Sequence, residues 1–219
     1  MKVIPNIVLF ILIILLSQCR SSNNMGVENI IYSSDNIDQY TGKKGLFVDK
    51  RDGKKYKWIK IGEQIWMAEN LRYKTDTGCV AYKHSKRYVE HYGYLYNGNT
   101  AQIVCPKGWH LPTKQEYERL CKFLGNDIHD VFEVFKKDKS IGFNSINAGS
   151  YNANTNKYRK SHLFRLDEYW SSSISYCDNN SITYFNTLTI NYYRKIALVG
   201  VLGLESTYIY IPIRCIKDD

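Results

Sequence analysis

No Cys-x-x-Cys pair occurs among the six cysteines, so the ligand spacing of a structural zinc site is missing. No glycine-rich phosphate loop is present, and no nucleic-acid-binding motif accompanies the basic residues. There is no internal repeat and no long low-complexity tract, which argues against a repeat architecture. Catalytic patterning is missing too. The histidines His84, His91, His110, His129 and His162 lie in no recognisable catalytic signature. A nucleophile needs a base within hydrogen-bond reach and a group that orients that base. No such set is legible, so neither a catalytic residue nor a cofactor or metal is expected. Glu63, Glu69 and Glu116 come nearest to paired carboxylates, but Glu116 has a sufficient role as a helix cap. His110, beside Trp109 ahead of a helix, is expected to pack or cap.

Apolar runs are short. Ile7 to Leu16 is an unbroken run of ten residues. A spanning helix needs about 20, whereas ten fits the core of a signal peptide, with Lys2 as its positive region. Leu16-Ser17-Gln18-Cys19 resembles the lipobox of bacterial lipoproteins, in which the Cys is acylated and becomes the first residue. Gln18 departs from that pattern, which prefers Gly, Ala or Ser. Residues 1–18 are therefore read as a signal peptide and Cys19 as the lipidation site. Several acyl chains would hold the protein stably, where a single chain binds only marginally. Arg20 to about Gly45 is rich in Ser, Asn, Asp and Gly and completes a 19–45 tether. The expected location is the cell envelope, surface-exposed on the outer membrane.

What is present fits one globular domain after that tether, residues 46–219. The 219-residue chain is 44% hydrophobic and 23% charged, ordinary values for a globular protein. A part of roughly 170 residues buries enough surface to fold without disulfides. Tyrosine is abundant at 19 copies, and its apolar ring and polar tip suit strands and half-exposed surfaces. The net charge is +9, or +8 once Lys2 is lost with residues 1–18. That balance favours anionic partners in general. The densest basic stretch runs from Lys43 to Lys60 and is diluted by Asp49 and Asp52, which reads as a solvated lysine-rich surface rather than a nucleic-acid site. Beyond Cys19 the cysteines are Cys79, Cys105, Cys121, Cys177 and Cys215, an odd number that leaves at least one unpaired or paired to another chain.

Lys55 to Ile61 and Gln64 to Met67 read as strands joined at Gly62-Glu63 into a hairpin. Ala81-Tyr82 and Tyr92 to Tyr96 are further strand-like pieces. Lys114 to Leu124 reads as a helix. Thr113 and Glu116 have capping-box spacing, and Tyr117, Leu120, Cys121 and Leu124 form one apolar face. Gly125-Asn126 is expected to end it in a left-handed conformation. Cys121 then faces the core as an inert thiol. Beyond this point strands and loops are expected, with a turn-rich link over Ser150–Asn156, strands at Tyr169–Ser171 and Ser181–Asn191, and a final strand over Tyr208–Cys215. One good helix among many short strands indicates an α+β fold rather than a doubly wound sheet.

Six ordered blocks carry a family resemblance: Lys60 to Leu71, Gly93 to Asn97, Cys105 to Thr113, Gly142-Phe143, Tyr169 to Ser172 and Ile213 to Asp218. Together they resemble the Fibrobacter succinogenes major paralogous domain family, found in surface lipoproteins of Bacteroidetes and Fibrobacteres. The resemblance implies a C-type lectin-like fold, a mixed or antiparallel twisted sheet of short strands with about two helices and long loops. It implies a core helix with its lead-in over His110–Leu124 and a closing strand over Ile211–Cys215 near the N-terminal hairpin. It further implies a disulfide between Cys105 and Cys215. The chain departs from the family at Ala148 to Tyr151 and at Gly98, both in loops, where binding specificity would reside.

Calcium-dependent sugar binding in that fold goes with Glu-Pro-Asn or Gln-Pro-Asp and Trp-Asn-Asp, and none occurs here. Asp178-Asn179-Asn180 reads as a solvated turn. Glycan binding without calcium needs aromatic faces and a few polar groups. Trp58, Trp66, Trp109 and Trp170 are expected in the core, which leaves Tyr151, Tyr158 and Tyr176, with Asp178 and Asn180, as the candidate ligand-binding residues. The leading expectation is a non-catalytic extracellular domain that binds a glycan or a protein. The alternative is a structural or adhesive envelope component that assembles with itself or a partner.

Overall fold

A computed structural model describes residues 41–136, 141–159, 165–177, 183–201 and 207–219. The hairpin forms where the sequence places it. β2 (Lys55–Ile61) and β3 (Gln64–Met67) pair antiparallel from Trp58↔Met67 to Ile61↔Gln64. Alternation in β2 buries Tyr56, Ile59 and Ile61 on one face. One strand starts earlier than expected. β1 (Thr41–Val48) pairs with β2 and includes the end of the supposed tether. Gly45 is not a linker glycine: a Cβ there would lie 2.7 Å from the Trp58 ring, so its bare backbone lets the indole pack flat against the strand.

The chain continues through β4 (Cys79–Ala81), the single-turn helix α1 (Val89–Tyr92), β5 (Tyr94–Asn97), the single-turn helix α2 (Gly98–Ala101) and β6 (Trp109–His110). Helix α3 spans Lys114–Leu124 and carries the expected capping box. The Thr113 hydroxyl accepts from the Glu116 N–H at 3.1 Å, and a Glu116 carboxylate oxygen accepts from the Thr113 N–H at 2.7 Å. Its buried face is Tyr117, Leu120 and Leu124, each side chain contributing about 1.5–3 kcal/mol by burial. Cys121 packs partly buried against the same core, and burial pushes its thiol up to about 12. Gly125 ends the helix, but with φ −175° it is extended rather than left-handed. Glycine is needed there for a close approach: a Cβ would sit 2.6 Å from the Asp130 Cβ.

That approach belongs to α4 (Ile128–Lys136), a helix in a region expected to hold strands and loops. Asp127 starts it, its carboxylate accepting from the N–H groups of His129 at 2.7 Å and Asp130 at 2.9 Å. Those bonds, first of all the one from Asp130, hold its pKa down. Val131, Phe132 and Phe135 bury against α3 and the sheets.

After α4, the expected link over 150–156 is the first strand and the turn of a hairpin, β7 (Ser150–Asn152) pairing with β8 (Lys157–Arg159). β9 (Leu166–Cys177), β10 (Thr183–Asn191) and β11 (Ile196–Val201) follow. The single closing strand is instead two short ones, β12 (Ile209–Ile211) and β13 (Ile216–Lys217). Pro212 interrupts them, having no N–H to donate to a ladder. β13 does lie beside β3, and the Met67 N–H also donates to the Cys215 carbonyl at 3.0 Å.

All these pairings are antiparallel. They make three sheets among the described residues: β1-β2-β3-β13-β6, β11-β10-β9 and β4-β5-β12-β7-β8. The class is α+β. One core cluster lies around Trp66, Tyr117, Phe132, Phe143 and Tyr169, and a second around Tyr56, Tyr96, Trp170 and Ile211. Trp66 and Trp170 are fully buried, while Trp58 and Trp109 are half-buried. Cys105 and Cys215 form a disulfide with Cα atoms 5.9 Å apart. Cys79 and Cys121 are free thiols.

Candidate functional site

His110 sits between two acids. Its Nδ1 lies 2.7 Å from the Asp218 carboxylate and its Nε2 lies 2.9 Å from that of Glu116. Burial opposes its charge, but the bonds to Asp218 and Glu116 outweigh this and raise its pKa. When the ring is protonated, both nitrogens donate to carboxylates. The other oxygen of Glu116 closes the capping box. His110 thus ties β6, the start of α3 and the C-terminal segment together, a structural role.

The strands place several tyrosines on one surface. In β8, β7 and β12, Tyr158, Tyr151 and Tyr210 stand directly opposite one another across neighbouring strands. Opposite residues share a face of a sheet. Ring centroids are 4.7 Å apart for Tyr151 and Tyr158 and 5.6 Å for Tyr151 and Tyr210. Tyr82 extends the row, 5.3 Å from Tyr158, and touches Tyr88 and Tyr92 at 5.4 and 5.7 Å. The Arg87 guanidinium covers the Tyr88 ring. Tyr88, Tyr92, Tyr151, Tyr158 and Tyr210 are half-buried, each keeping part of its surface in water. The Tyr158 hydroxyl donates to the Ala81 carbonyl at 2.9 Å and accepts from the His84 N–H at 3.1 Å. That bond fastens a turn in which Lys83 and His84 both have φ +52°, a conformation that side chains seldom adopt.

Two of the expected ligand-binding residues, Tyr151 and Tyr158, are therefore neighbours. Tyr176 is not with them: it lies on β9, in another sheet, with its Cα opposite Tyr184. Asp178 and Asn180 lie outside the described residues, as does the expected lipidation site Cys19.

A second feature was not foreseen. A cleft of about 280 Å³ opens between the β2–β3 hairpin, α1 and the C-terminal segment. Arg214 and Arg72 are part of its wall, 0% and 6% exposed. Arg214 donates from Nε to the Asn70 Oδ1 at 2.8 Å and from Nη2 to the Asn144 carbonyl at 2.6 Å. Its guanidinium lies over the Phe143 ring at 4.6 Å. Its Nη1 has no hydrogen-bond partner among the described residues, and no carboxylate forms an ion pair with it. Arg72 donates from Nη2 to the Lys55 carbonyl at 2.7 Å and covers the Tyr56 ring. Glu90 and Glu69 form ion pairs with its guanidinium at 3.6 and 3.7 Å, too long for hydrogen bonds. Arg214, by contrast, has hydrogen bonds and a ring contact but no ion pair among the described residues, and a buried cation without a counter-ion costs several kcal/mol. The sequence signal for it is Arg214 itself: Ile213, Arg214 and Cys215 are all fully buried, a charge inside an apolar run.

Glu168, on β9, is buried, and burial raises its carboxyl pKa to about 7, with Arg159 opposing and Asp167 adding to the rise. It does not line the cleft. Among the described residues no group of three or more His, Cys, Asp or Glu side chains could hold a metal ion.

The family model of the Fibrobacter succinogenes major domain matches residues 59–217. No curated protein and no solved structure matches the chain.

Proposed function

Since the chain belongs to the Fibrobacter succinogenes major domain family, we propose that it is a non-catalytic binding domain with a C-type lectin-like fold that recognises glycans outside the cell. Acylated Cys19 anchors it to the outer membrane, and residues 20–40 hold the domain off the lipid surface. The observation that carries the reading is the tyrosine ridge: Tyr158, Tyr151 and Tyr210 across three strands, continued by Tyr82, Tyr88 and Tyr92. Aromatic faces stack on the apolar faces of sugar rings, and hydroxyl tips bond sugar hydroxyls. Full engagement of His110 by Asp218 and Glu116, and the position of Glu168 away from the cleft, support a binding role over catalysis.

A glycan array with the purified protein, run with and without calcium, tests this. Specific binding that persists in chelator and is lost in Tyr151→Ala is the expected result. A folded protein that binds no glycan refutes it. One observation favours assembly as the second reading. β1 ends its sheet, has no partner on its outer side among the described residues, and exposes Leu46 and Val48. A free apolar strand edge can pair with another chain, and concentration-dependent oligomers abolished by Val48→Lys would point there.

A further inference from the structure

We propose that the tyrosine ridge takes an acidic glycan, a chain of sugar rings bearing carboxylate or sulfate groups, and that Lys83, Lys86 and Arg87 meet those groups. The inference rests on the glycan reading above and names its substrate class.

Three observations converge. First, the cations at the ridge are accessible. Lys83, Lys86 and Arg87 are exposed, and none forms an ion pair among the described residues. Two of them touch the ridge itself. The Lys83 Nζ lies 5.6 Å from the centre of the Tyr82 ring, and the Arg87 guanidinium 4.6 Å from that of Tyr88. Arg87 donates one N–H to the Tyr88 hydroxyl at 2.6 Å, and its planar fork keeps further donors for an oxyanion. Second, no acid balances them. β7, β8 and β12 contain none. Between Tyr82 and Tyr92 the one acid is Glu90, which is ion-paired with Arg72 at 3.6 Å. Third, strained backbone sets the turn against the ridge. Lys83 and His84 both have φ +52°, and the Tyr158 hydroxyl fastens them by accepting from the His84 N–H. The His84 ring is thereby held edge-on to Tyr151 and Tyr158, at 5.4 and 5.2 Å. Such strain persists only where neighbours enforce it, and it gathers at ligand clamps.

The weakness of exposed charge selects a polymer. One ion pair in water changes binding by no more than about fivefold, so a single acidic sugar would bind poorly. A chain with charge on successive rings engages several cations at once, each contact raising the effective concentration for the next. Drawn onto the ligand, Lys83 and Arg87 also uncover the tyrosine faces they occupy, and sugar rings stack there.

The test is a calorimetric titration of the whole protein in detergent with tetragalacturonate and a sulfated galactose tetramer. Fully methyl-esterified tetragalacturonate supplies the same rings without charge. At low salt one of the acidic tetramers is expected to bind about tenfold tighter than the ester or better, with an advantage that shrinks as salt is raised; the tighter of the two names the anionic group. The double variant Lys86→Gln, Arg87→Gln should weaken the acidic tetramer about fivefold or more and leave the ester unchanged. The double variant Lys86→Arg, Arg87→Lys keeps both charges and should bind like wild type, while Tyr151→Ala should weaken acid and ester alike. Equal binding of acid and ester, no binding of either acidic tetramer, or equal losses in the two double variants each overturns the proposal. A glutamate peptide or oligothymidylate bound as tightly as the acidic tetramer overturns the sugar assignment. Failure of the charge contacts leaves array binding by neutral glycans intact, whereas failure of the glycan reading removes that as well.

Discussion

Replacing Glu168 by Gln should stabilise the protein at alkaline pH and leave it nearly unchanged at acid pH. Burial on β9 lifts this carboxyl from 4.5 to about 7 in the folded chain. The folded state therefore binds the proton more tightly than the unfolded state. Stability is greatest below 4.5, where both states are protonated, and falls as pH rises through 7. Above that, holding the ionised form in the interior costs about 3 kcal/mol, the free-energy equivalent of a carboxyl raised from 4.5 to about 7. Gln keeps the shape and never ionises. Urea denaturation of wild type and Glu168→Gln at pH 8 and pH 4.5 reads the effect directly. The variant should gain up to about 3 kcal/mol at pH 8 and only a few tenths at pH 4.5. Comparing the two proteins at each pH cancels the titration of other groups. A difference of the same size at both pH values would mean that packing, not charge, separates the two side chains, and the argument would fail.

Three further outcomes are expected. The His110 imidazole should titrate above 6.5 by NMR, and Asp218→Asn should lower its midpoint; because the folded value is raised, this staple stabilises the chain below 6.5 and is lost as pH climbs through the higher folded value. Removing the Cys105–Cys215 bridge by a double Ala substitution should lower stability by roughly 4–5 kcal/mol, the loop-closure value for a loop on the order of 100 residues, measured in denaturant. Cys19→Ala should move the protein from the membrane to the soluble fraction, and unchanged membrane association in fractionation would defeat the lipid anchor.

The features legible in the sequence are those fixed by near neighbours. The β2–β3 hairpin needs only its alternation and a two-residue turn, and α3 needs only a capping box and a 3.6-residue period. Helix α4 carries the same local signals, with Asp127 as its cap and Ile128, Val131, Phe132 and Phe135 at i, i+3, i+4 and i+7, so a helix is legible there and the expectation of strands and loops overlooks it. Gly45 looks like linker chemistry until Trp58 is placed against it. The Cys105–Cys215 pairing came through family resemblance, since spacing alone left the cysteines open. Half of the candidate site followed the same rule. Tyr151 and Tyr158 were visible as loop-like aromatics, but their alignment with Tyr210 is a cross-strand fact spanning some 50 positions. Arg72 and Arg214 meet across 142 positions, and no local pattern announces such a meeting.

Residues 209–217 have a mechanical consequence. This segment lends β12 to the sheet that carries the tyrosine ridge and β13 to the sheet that begins with β1. Pro212 to Cys215 is the covalent crosspiece between the two, and the bridge to Cys105 rivets it. Tension applied between these two sheets therefore crosses from one to the other along main chain, in a segment pinned by a sulfur–sulfur bond. Side-chain packing alone does not have to carry that load.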